Sequence, residues 1–329
     1  MIRKLTVASQ SWPLKQTFRI ARGAKNEAVV AVATIEEGDR SGRGECVPYA
    51  RYGETVASVI GQIQKARRRI EGGISRQDLQ TLLPAGAARN ALDCAMVDLE
   101  AKKSGRPAYE LLGLPAPGPV RTAFTISVDE PEAMAKAAAE AAARGYRLLK
   151  LKVAGGQDIS RVEAVRRAAP EARLIVDANE GWTPEEYDVL APGLAGLGVA
   201  LIEQPLKAEE DGYLARTEAP VPVCADESCH TRADLQRIGR RYSHVNVKLD
   251  KAGGLTEAVA LAREAAAMGL KLMVGCMVST SLAMAPATLL ATDAEFVDLD
   301  GPLLLARDRE PGLQYDADVL HPAPRELWG

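Results

Sequence analysis

From about residue 120 to residue 302, short apolar, β-branched runs alternate with longer alanine-rich amphipathic runs. The strand candidates are "RTAFTIS" (121–127), "LLKLKV" (148–153), "LIVDAN" (174–179), "ALIEQP" (200–205), "VCADES" (223–228), "HVNVKLD" (244–250), "KLMVGCM" (271–277) and "FVDLDGP" (296–302), eight at nearly even spacing. Parallel neighbours need a crossover of a dozen or more residues, and a helix usually supplies it. Helix signals fill the gaps. "DEPEAMAKAAAEAAARGY" opens on an acidic turn with a proline and closes at Gly145. "TPEE" sets Thr183, Pro184 and Glu186 at the N-cap, first-turn and capping-box positions. "GLTEAVALAREAAAMG" carries an apolar stripe and ends in glycine. Eight such units are the count of a TIM-type barrel. An open doubly wound sheet is the alternative, but its strand runs are usually less regular, and the chain has no G-x-G-x-x-G. An α/β barrel is expected.

Residues 1–118 follow another rule. "KLTVASQSWPL" and "AVVAVATIEEG" alternate like antiparallel strands, and helical stretches follow near 54–70, 76–83 and 87–104. This predicts an α+β module ahead of a barrel over 119–304, with "LGLPAPGPV" (112–120) as the link. The closing "HPAPRELWG" is too short for a domain and is expected to pack back on one of the two.

Bulk properties exclude several classes. With 47% hydrophobic residues, 26% charged and a net charge of −3, no concentrated basic surface for nucleic acid is expected. The run "KARRR" (65–69) reads as the wet face of a helix. The N-terminus lacks the apolar core of a secretory signal, and no stretch reaches the length of a membrane span. The five cysteines, Cys46, Cys94, Cys224, Cys229 and Cys276, include no Cys-x-x-Cys pair. Reduced thiols in a cytoplasmic protein are expected, rather than a disulfide framework or a zinc ribbon.

The strand candidates carry charges where a buried sheet should have none. Lys150 and Lys152 interrupt "LLKLKV" on one face of the strand, because side chains alternate. Asp177 follows on the third strand, Glu203 on the fourth, Asp226 on the fifth, Lys248 on the sixth, and Asp298 with Asp300 on the eighth. Each lies near the C-terminal end of its strand, the active-site face of a barrel. Singly, each carboxylate is explained as a cap for the next helix. Three consecutive strands each offering one carboxylate point instead to a hard divalent cation. Oxygen donors favour Mg²⁺ over zinc, and His230, His244 and His321 are badly placed for a metal cluster. Beside such a cation and partly desolvated, a lysine loses its proton more easily and can serve as a base. Two lysines across a barrel mouth with a Lewis acid between them suit proton abstraction α to a carboxylate and return from the other face. A one-sided elimination needs only one of them.

"KLK", "VDAN", "IEQP", "ADES" and "VKLDKAGG" occur in the order of the strand-end motifs of the enolase superfamily, which the whole chain resembles. The Lys-x-Lys on strand two and the lysine on strand six are similar to the muconate-lactonizing-type subgroup; a mandelate-racemase-like His–Asp dyad is missing. The resemblance implies a modified (β/α)7β barrel and an N-terminal α+β capping domain completed by about 305–329. It implies Lys152 and Lys248 as acid/base groups and Lys150 as stabiliser of the substrate carboxylate. Asp177, Glu203 and Asp226 become the Mg²⁺ ligands, with Asn179 and Asp250 beside them. Within the subgroup the chain resembles dipeptide epimerases, those acting on L-Ala-D/L-Glu above all, through "DLD" (298–300) and "GCMVSTS" (275–281). Asp298 and Asp300 would then hold the substrate's α-ammonium. Two cap loops, "TFRIARGAKNEA" (17–28) and "GECVPYARYGE" (44–54), would close over the mouth. Arg22 is the candidate partner for a glutamate side chain, with Lys25 and Arg51 as alternatives. The expected partner is thus a small dipeptide, with no nucleic acid and no membrane; a homo-oligomer is left open. Recycling of cell-wall peptides would be the natural setting. The rivals are a lyase such as o-succinylbenzoate synthase, a cycloisomerase, and a non-catalytic binding protein on the same fold.

Overall fold

A computed structural model describes residues 3–329. β1 (Arg3–Ile20), β2 (Gly23–Glu37) and β3 (Arg40–Cys46) form an antiparallel sheet in that order. Three helices cover one face: α1 (Val56–Glu71), α2 (Arg76–Leu82) and α3 (Ala87–Ser104). Thr55 starts α1 by accepting a hydrogen bond from the Ser58 amide (3.1 Å), while the Ser58 hydroxyl accepts from the Thr55 amide (2.9 Å). Leu5, Ala33 and Ile35 of the sheet meet Val59, Ile63 and Leu92 of the helices in one apolar core. β3 touches α3 backbone to backbone. A Cβ on Gly42 or Gly44 would lie 2.1 Å from the carbonyl oxygen of Ala95 or Ala91, so only glycine permits the approach.

The segment 17–28, expected as a loop, is mostly paired strand. Phe18 faces Lys25, Arg19 faces Ala24 and Ile20 faces Gly23. The register slips between Pro13 and Phe18, where Leu14 bridges to Leu305 and the Ala306 amide donates to the Pro13 carbonyl. The pairing resumes beyond the slip, so a paired ribbon projects where a loop was expected.

After α4 (Ala108–Leu111), β4 (Val120–Arg121) joins a small antiparallel sheet with two late strands, described below. Eight parallel strands then follow in chain order: β5 (Phe124–Ile126), β6 (Leu148–Lys152), β7 (Arg173–Asp177), β8 (Val199–Glu203), β9 (Val223–Ala225), β10 (His244–Val247), β11 (Lys271–Gly275) and β12 (Phe296–Asp298). The Ala123 amide donates to the Val297 carbonyl (2.7 Å) and the Leu299 amide to Thr122 Oγ1 (2.9 Å), which all but closes the ring. The crossovers contain α5 (Pro131–Ala143), α6 (Asp158–Ala168), α7 (Pro184–Gly196), a 3₁₀ turn at Asp211–Ala215, α8 (Leu235–Ile238), α9 (Leu249–Ala252) with α10 (Leu255–Ala267), and α11 (Ser281–Ala287). β13 (Tyr315–Asp316) and β14 (Val319–Leu320) complete the sheet with β4.

The alternation of side chains sorts the barrel interior into storeys. Ala123, Leu148, Ile175, Leu201, Cys224, Met273 and Phe296 form a dry floor. Two residues further along the same strands stand Thr125, Lys150, Asp177, Glu203, Asp226, Gly275 and Asp298. Odd-numbered neighbours such as Leu149 and Leu151, like Val176 and Ile202 on the next strands, face outward into the helix layer. The chain end returns to α3 of the N-terminal domain. Trp328 Nε1 donates to the Cys94 carbonyl (3.1 Å), and the Gly329 amide to Asp98 (2.8 Å).

Candidate active site

Every charge singled out on the strands points into the barrel mouth and is buried. Lys150 Nζ sits among three carboxylates: 2.7 Å from Asp298 Oδ2, 2.7 Å from Glu203 Oε2 and 3.0 Å from Asp177 Oδ2. Lys152 lies across from Asp177 in the β6–β7 register, its Nζ 2.5 Å from Oδ2. Lys248 Nζ is 2.6 Å from Asp226 Oδ2 and 3.9 Å from Glu203 Oε1. Since β6 and β10 are four strands apart whichever way the ring is counted, the two lysine clusters face each other.

Three supporting residues were not anticipated as such. Asn246, on the inward face of β10, donates to Glu203 Oε1 (2.7 Å). Lys251, 1% exposed, bonds the carbonyls of Asp226, Cys229 (2.8 Å) and Asn246 (3.0 Å), and its Nζ stands 2.7 Å from Asp226 Oδ1. Gln204 accepts the amides of Asp226 (2.9 Å) and Ser228 (3.1 Å), fastening the end of β8 to that of β9. "NVK" and "LDKAGG" hold the clue to the first two, since period-two alternation turns Asn246 inward with Lys248. Asp250 looks the other way: it accepts from the Val47 amide (3.0 Å) and Asn90 (2.8 Å), tying the barrel to the cap.

These contacts set the charge states. Burial pulls the Lys150 ammonium toward losing its proton, but Asp298, Glu203 and Asp177 outweigh it and hold its pKa well above the ordinary lysine value. Lys248 is likewise destabilised by burial and raised on balance by Asp226 and Glu203. Burial opposes ionisation of Asp226 too, yet Lys248 and Lys251 keep it well below the usual carboxylate range. In this arrangement the nearest neighbours of Lys248 are carboxylates, which favour its charged form. A divalent cation among the same carboxylates reverses that field.

Among the described residues, no three His, Cys, Asp or Glu side chains stand as a finished ligand cluster. Ammonium groups stand among these carboxylates instead: Lys150 between Asp177 and Glu203, and Lys248 between Glu203 and Asp226. The donors nevertheless suit a hard cation. Glu203 Oε2 and Asp226 Oδ1 accept no directed hydrogen bond, although ammonium nitrogens stand 2.7 Å away. Buried acceptors left so are uncommon, and an all-oxygen set fits Mg²⁺ chemistry.

Above the charges lies a cavity of about 500 Å³, walled by Lys152, Lys248, Asp298 and Asp300 below and by the β1–β2 ribbon and Tyr49 above. Asp300 accepts the Thr125 amide (2.6 Å), and Thr125 Oγ1 reaches Asp298 (3.4 Å). Burial and the neighbouring Asp298 push Asp300 up to about 7. All three cap cations line this cavity. Arg22 is already engaged: it donates to Glu227 (2.6 Å), Glu180 (3.2 Å), Tyr49 (3.0 Å) and the Asn179 carbonyl (2.6 Å). Arg51 makes a two-pronged pair with Glu180 (2.7 and 2.8 Å). Lys25, among the described residues, has no carboxylate within ion-pair reach. Burial lowers its pKa, and the charge of Lys152 lowers it further.

Residues 2–113 match the mandelate racemase/muconate lactonizing enzyme N-terminal domain, and residues 133–313 the enolase C-terminal domain-like family. The L-Ala-D/L-Glu epimerase of Escherichia coli K12 is 48% identical over 97% of this chain and all of its own. The N-acetyl-D-glutamate racemase of a Pseudoalteromonas species is 46% identical over 91% of this chain and 94% of its own. A crystal structure of an enolase family member from Agrobacterium tumefaciens with homology to dipeptide epimerases, holding sodium and L-Ala-L-Glu, superposes with a TM-score of 0.97 at 49% identity, covering 99% of this chain and 100% of that one. Matched along both halves and nearly end to end, the chain belongs to the enolase superfamily, as an isomerase of the dipeptide epimerase kind.

Proposed function

We propose that the protein is a Mg²⁺-dependent epimerase of L-Ala-D/L-Glu, working by 1,1-proton transfer at the glutamate α-carbon. The observation that carries this is the pair of lysines, Lys152 and Lys248, on strands diametrically opposed across one cavity. Asp177, Glu203 and Asp226 would hold Mg²⁺. When bound, the ion supplies the positive charge that makes loss of the α-proton to an amine feasible. Lys152 takes or gives the proton on one face and Lys248 on the other, and Lys150 neutralises charge growing on the substrate carboxylate. Asp298 and Asp300 receive the α-ammonium, a role supported by their shared burial beside Thr125.

For the glutamate side chain the structure favours Lys25 over Arg22. A substrate carboxylate would have to displace Glu180 and Glu227 from Arg22, whereas Lys25 offers an uncommitted charge in the same cavity. Among the described residues no helix is long and apolar enough to cross a membrane. An alanyl-glutamate substrate points to recycling of cell-wall peptides in the cytoplasm as the setting.

The relative that racemises N-acetyl-D-glutamate supports a second reading, in which an acyl-glutamate replaces the dipeptide. The paired aspartates speak for a substrate with an ammonium, and against lyase or cycloisomerase substrates that lack one. The test is incubation in D₂O with Mg²⁺ and, separately, L-Ala-L-Glu, L-Ala-D-Glu and N-acetyl-glutamate, followed by NMR. Deuterium at the glutamate α-carbon of both dipeptides, with the other epimer appearing, is expected. Exchange in N-acetyl-glutamate alone would move the assignment to the second reading, and exchange in none, or without metal, would end the first.

A further inference from the structure

Two arginines from separate parts of the cap converge on one carboxylate of the barrel. Arg22 comes from the tip of the β1–β2 ribbon and Arg51 from the turn after β3. Both meet Glu180, which lies just past β7 and 129 positions from Arg51. The Glu180 carboxylate accepts from Arg22 Nη1 (3.2 Å), Arg51 Nε (2.7 Å), Arg51 Nη2 (2.8 Å) and the Ala208 amide (3.1 Å). Its side chain is 5% exposed, and those of the two arginines 26% and 32%. Glu227 shares only Arg22, and Arg22 also reaches Tyr49 of the other segment directly (3.0 Å); Glu180 is the barrel carboxylate that arginines of both segments bind.

The backbone there is held in an unfavourable shape. Asn179 and Glu180 have φ of +47° and +65°, the left-handed region that side-chain-bearing residues rarely adopt. For a glutamate this persists only when its surroundings fix it. The Glu180 amide is bound by the Gln204 carbonyl (2.9 Å), and the Asn179 amide by Asp177 Oδ1 (3.0 Å). The strained pair thus aims a carboxylate over the rim, immediately after a strand whose last side chain, Asp177, is buried against Lys152.

We propose that Glu180 is a latch: a positioning residue on which both cap segments close together, fixing the roof of the cavity and excluding water from it. It touches no reacting atom. Each arginine bond is charge-assisted and ends on a buried carboxylate, the class of hydrogen bond that holds most firmly. A common anchor also makes closure of one segment favour closure of the other, because each helps fix the same carboxylate. The latch gives the proposed epimerase its enclosed site, yet it is a property of the fold that can be measured apart from turnover.

The test is hydrogen–deuterium exchange of the full-length protein, wild type against Glu180→Gln and Arg51→Gln, read by mass spectrometry over 17–28 and 44–54. Glu180→Gln keeps the shape but loses the charge, and should speed exchange in both segments by about tenfold or more. Arg51→Gln should speed 44–54 strongly and 17–28 to a smaller degree. In a dipeptide assay the Glu180→Gln variant should lose more in KM than in kcat. Faster exchange in one segment only, or in neither, with an unchanged melting temperature, would overturn the latch. Should Glu180→Gln fail to fold, Arg51→Gln alone decides: no change in 44–54 refutes the anchor. If the wild type turns over no dipeptide while both exchange results hold, the functional reading falls and the latch stands.

Discussion

Lys251 is the most deeply buried cation in the molecule that no proposed chemical step uses, and its removal separates structural from electrostatic roles. Replacing it with methionine keeps much of the volume but strips four acceptors of their partner: the Asp226 carboxylate and the carbonyls of Asp226, Cys229 and Asn246. Breaking a buried ion pair from one side costs about 3–5 kcal/mol. Lys248 still holds Asp226 Oδ2, which argues for the lower end, about 3 kcal/mol, a large part of the ~5–15 kcal/mol typical of a whole domain. Added Mg²⁺ should offset part of the loss, because a positive charge beside Asp226 replaces the one deleted. Urea titrations of wild type and Lys251→Met, each with and without saturating Mg²⁺, measure both effects. The stabilisation by Mg²⁺ should be greater in the variant, by about 1.4 kcal/mol for each tenfold gain in affinity. A loss under about 1 kcal/mol, or equal gains from Mg²⁺ in both proteins, would refute this account of Asp226 and its neighbours.

Three further outcomes are expected. Lys152→Ala should abolish epimerisation while leaving slow α-deuterium exchange from one epimer only, as followed by NMR on each epimer separately; equal loss from both would contradict a division of faces between Lys152 and Lys248. Gly275→Ala places a Cβ 2.5 Å from Asn246 Oδ1 and 2.7 Å from Nδ2, so it should push that amide off Glu203 and lower both melting temperature and exchange rate, with an overpacking cost of about 1–3 kcal/mol. Burial pushes Asp250 up to about 7, against about 3.9 in the unfolded chain, so the folded state binds the extra proton between those values. Its contribution to stability is therefore complete below pH ~4 and is lost as pH rises to about 7; Asp250→Asn should flatten that part of the pH–stability curve.

The barrel and its charged storey could be read from the chain because both follow from period-two alternation. The same parity that hides Leu148 in the floor aims Lys150 and Lys152 into the mouth, and the rule repeats at Ile175 and Asp177, then at Leu201 and Glu203. The roof could not be read in the same way. Weighing Arg22 against Lys25 for the proposed substrate contact required knowing that Glu180 and Glu227, 158 and 205 positions from Arg22, already bind it. The paired ribbon at 17–28 was hidden by the register slip beyond Pro13, which breaks the alternation that would have marked a strand. Lys251 looks like a solvated lysine on a short helix, and only the turn at α9 folds it under Asp226.

In a ring with an even number of staves, such as these eight, every position has a partner straight across. Each stave has one antipode, four steps away in either direction, and β6 and β10 occupy such a pair. Moving the second amine one stave to either side would swing it off the diameter, and both groups would begin to approach the substrate from the same flank. Under the proposed two-face proton transfer, the handedness of the product is in this sense a counting problem, decided by how many crossovers separate two lysines along the chain.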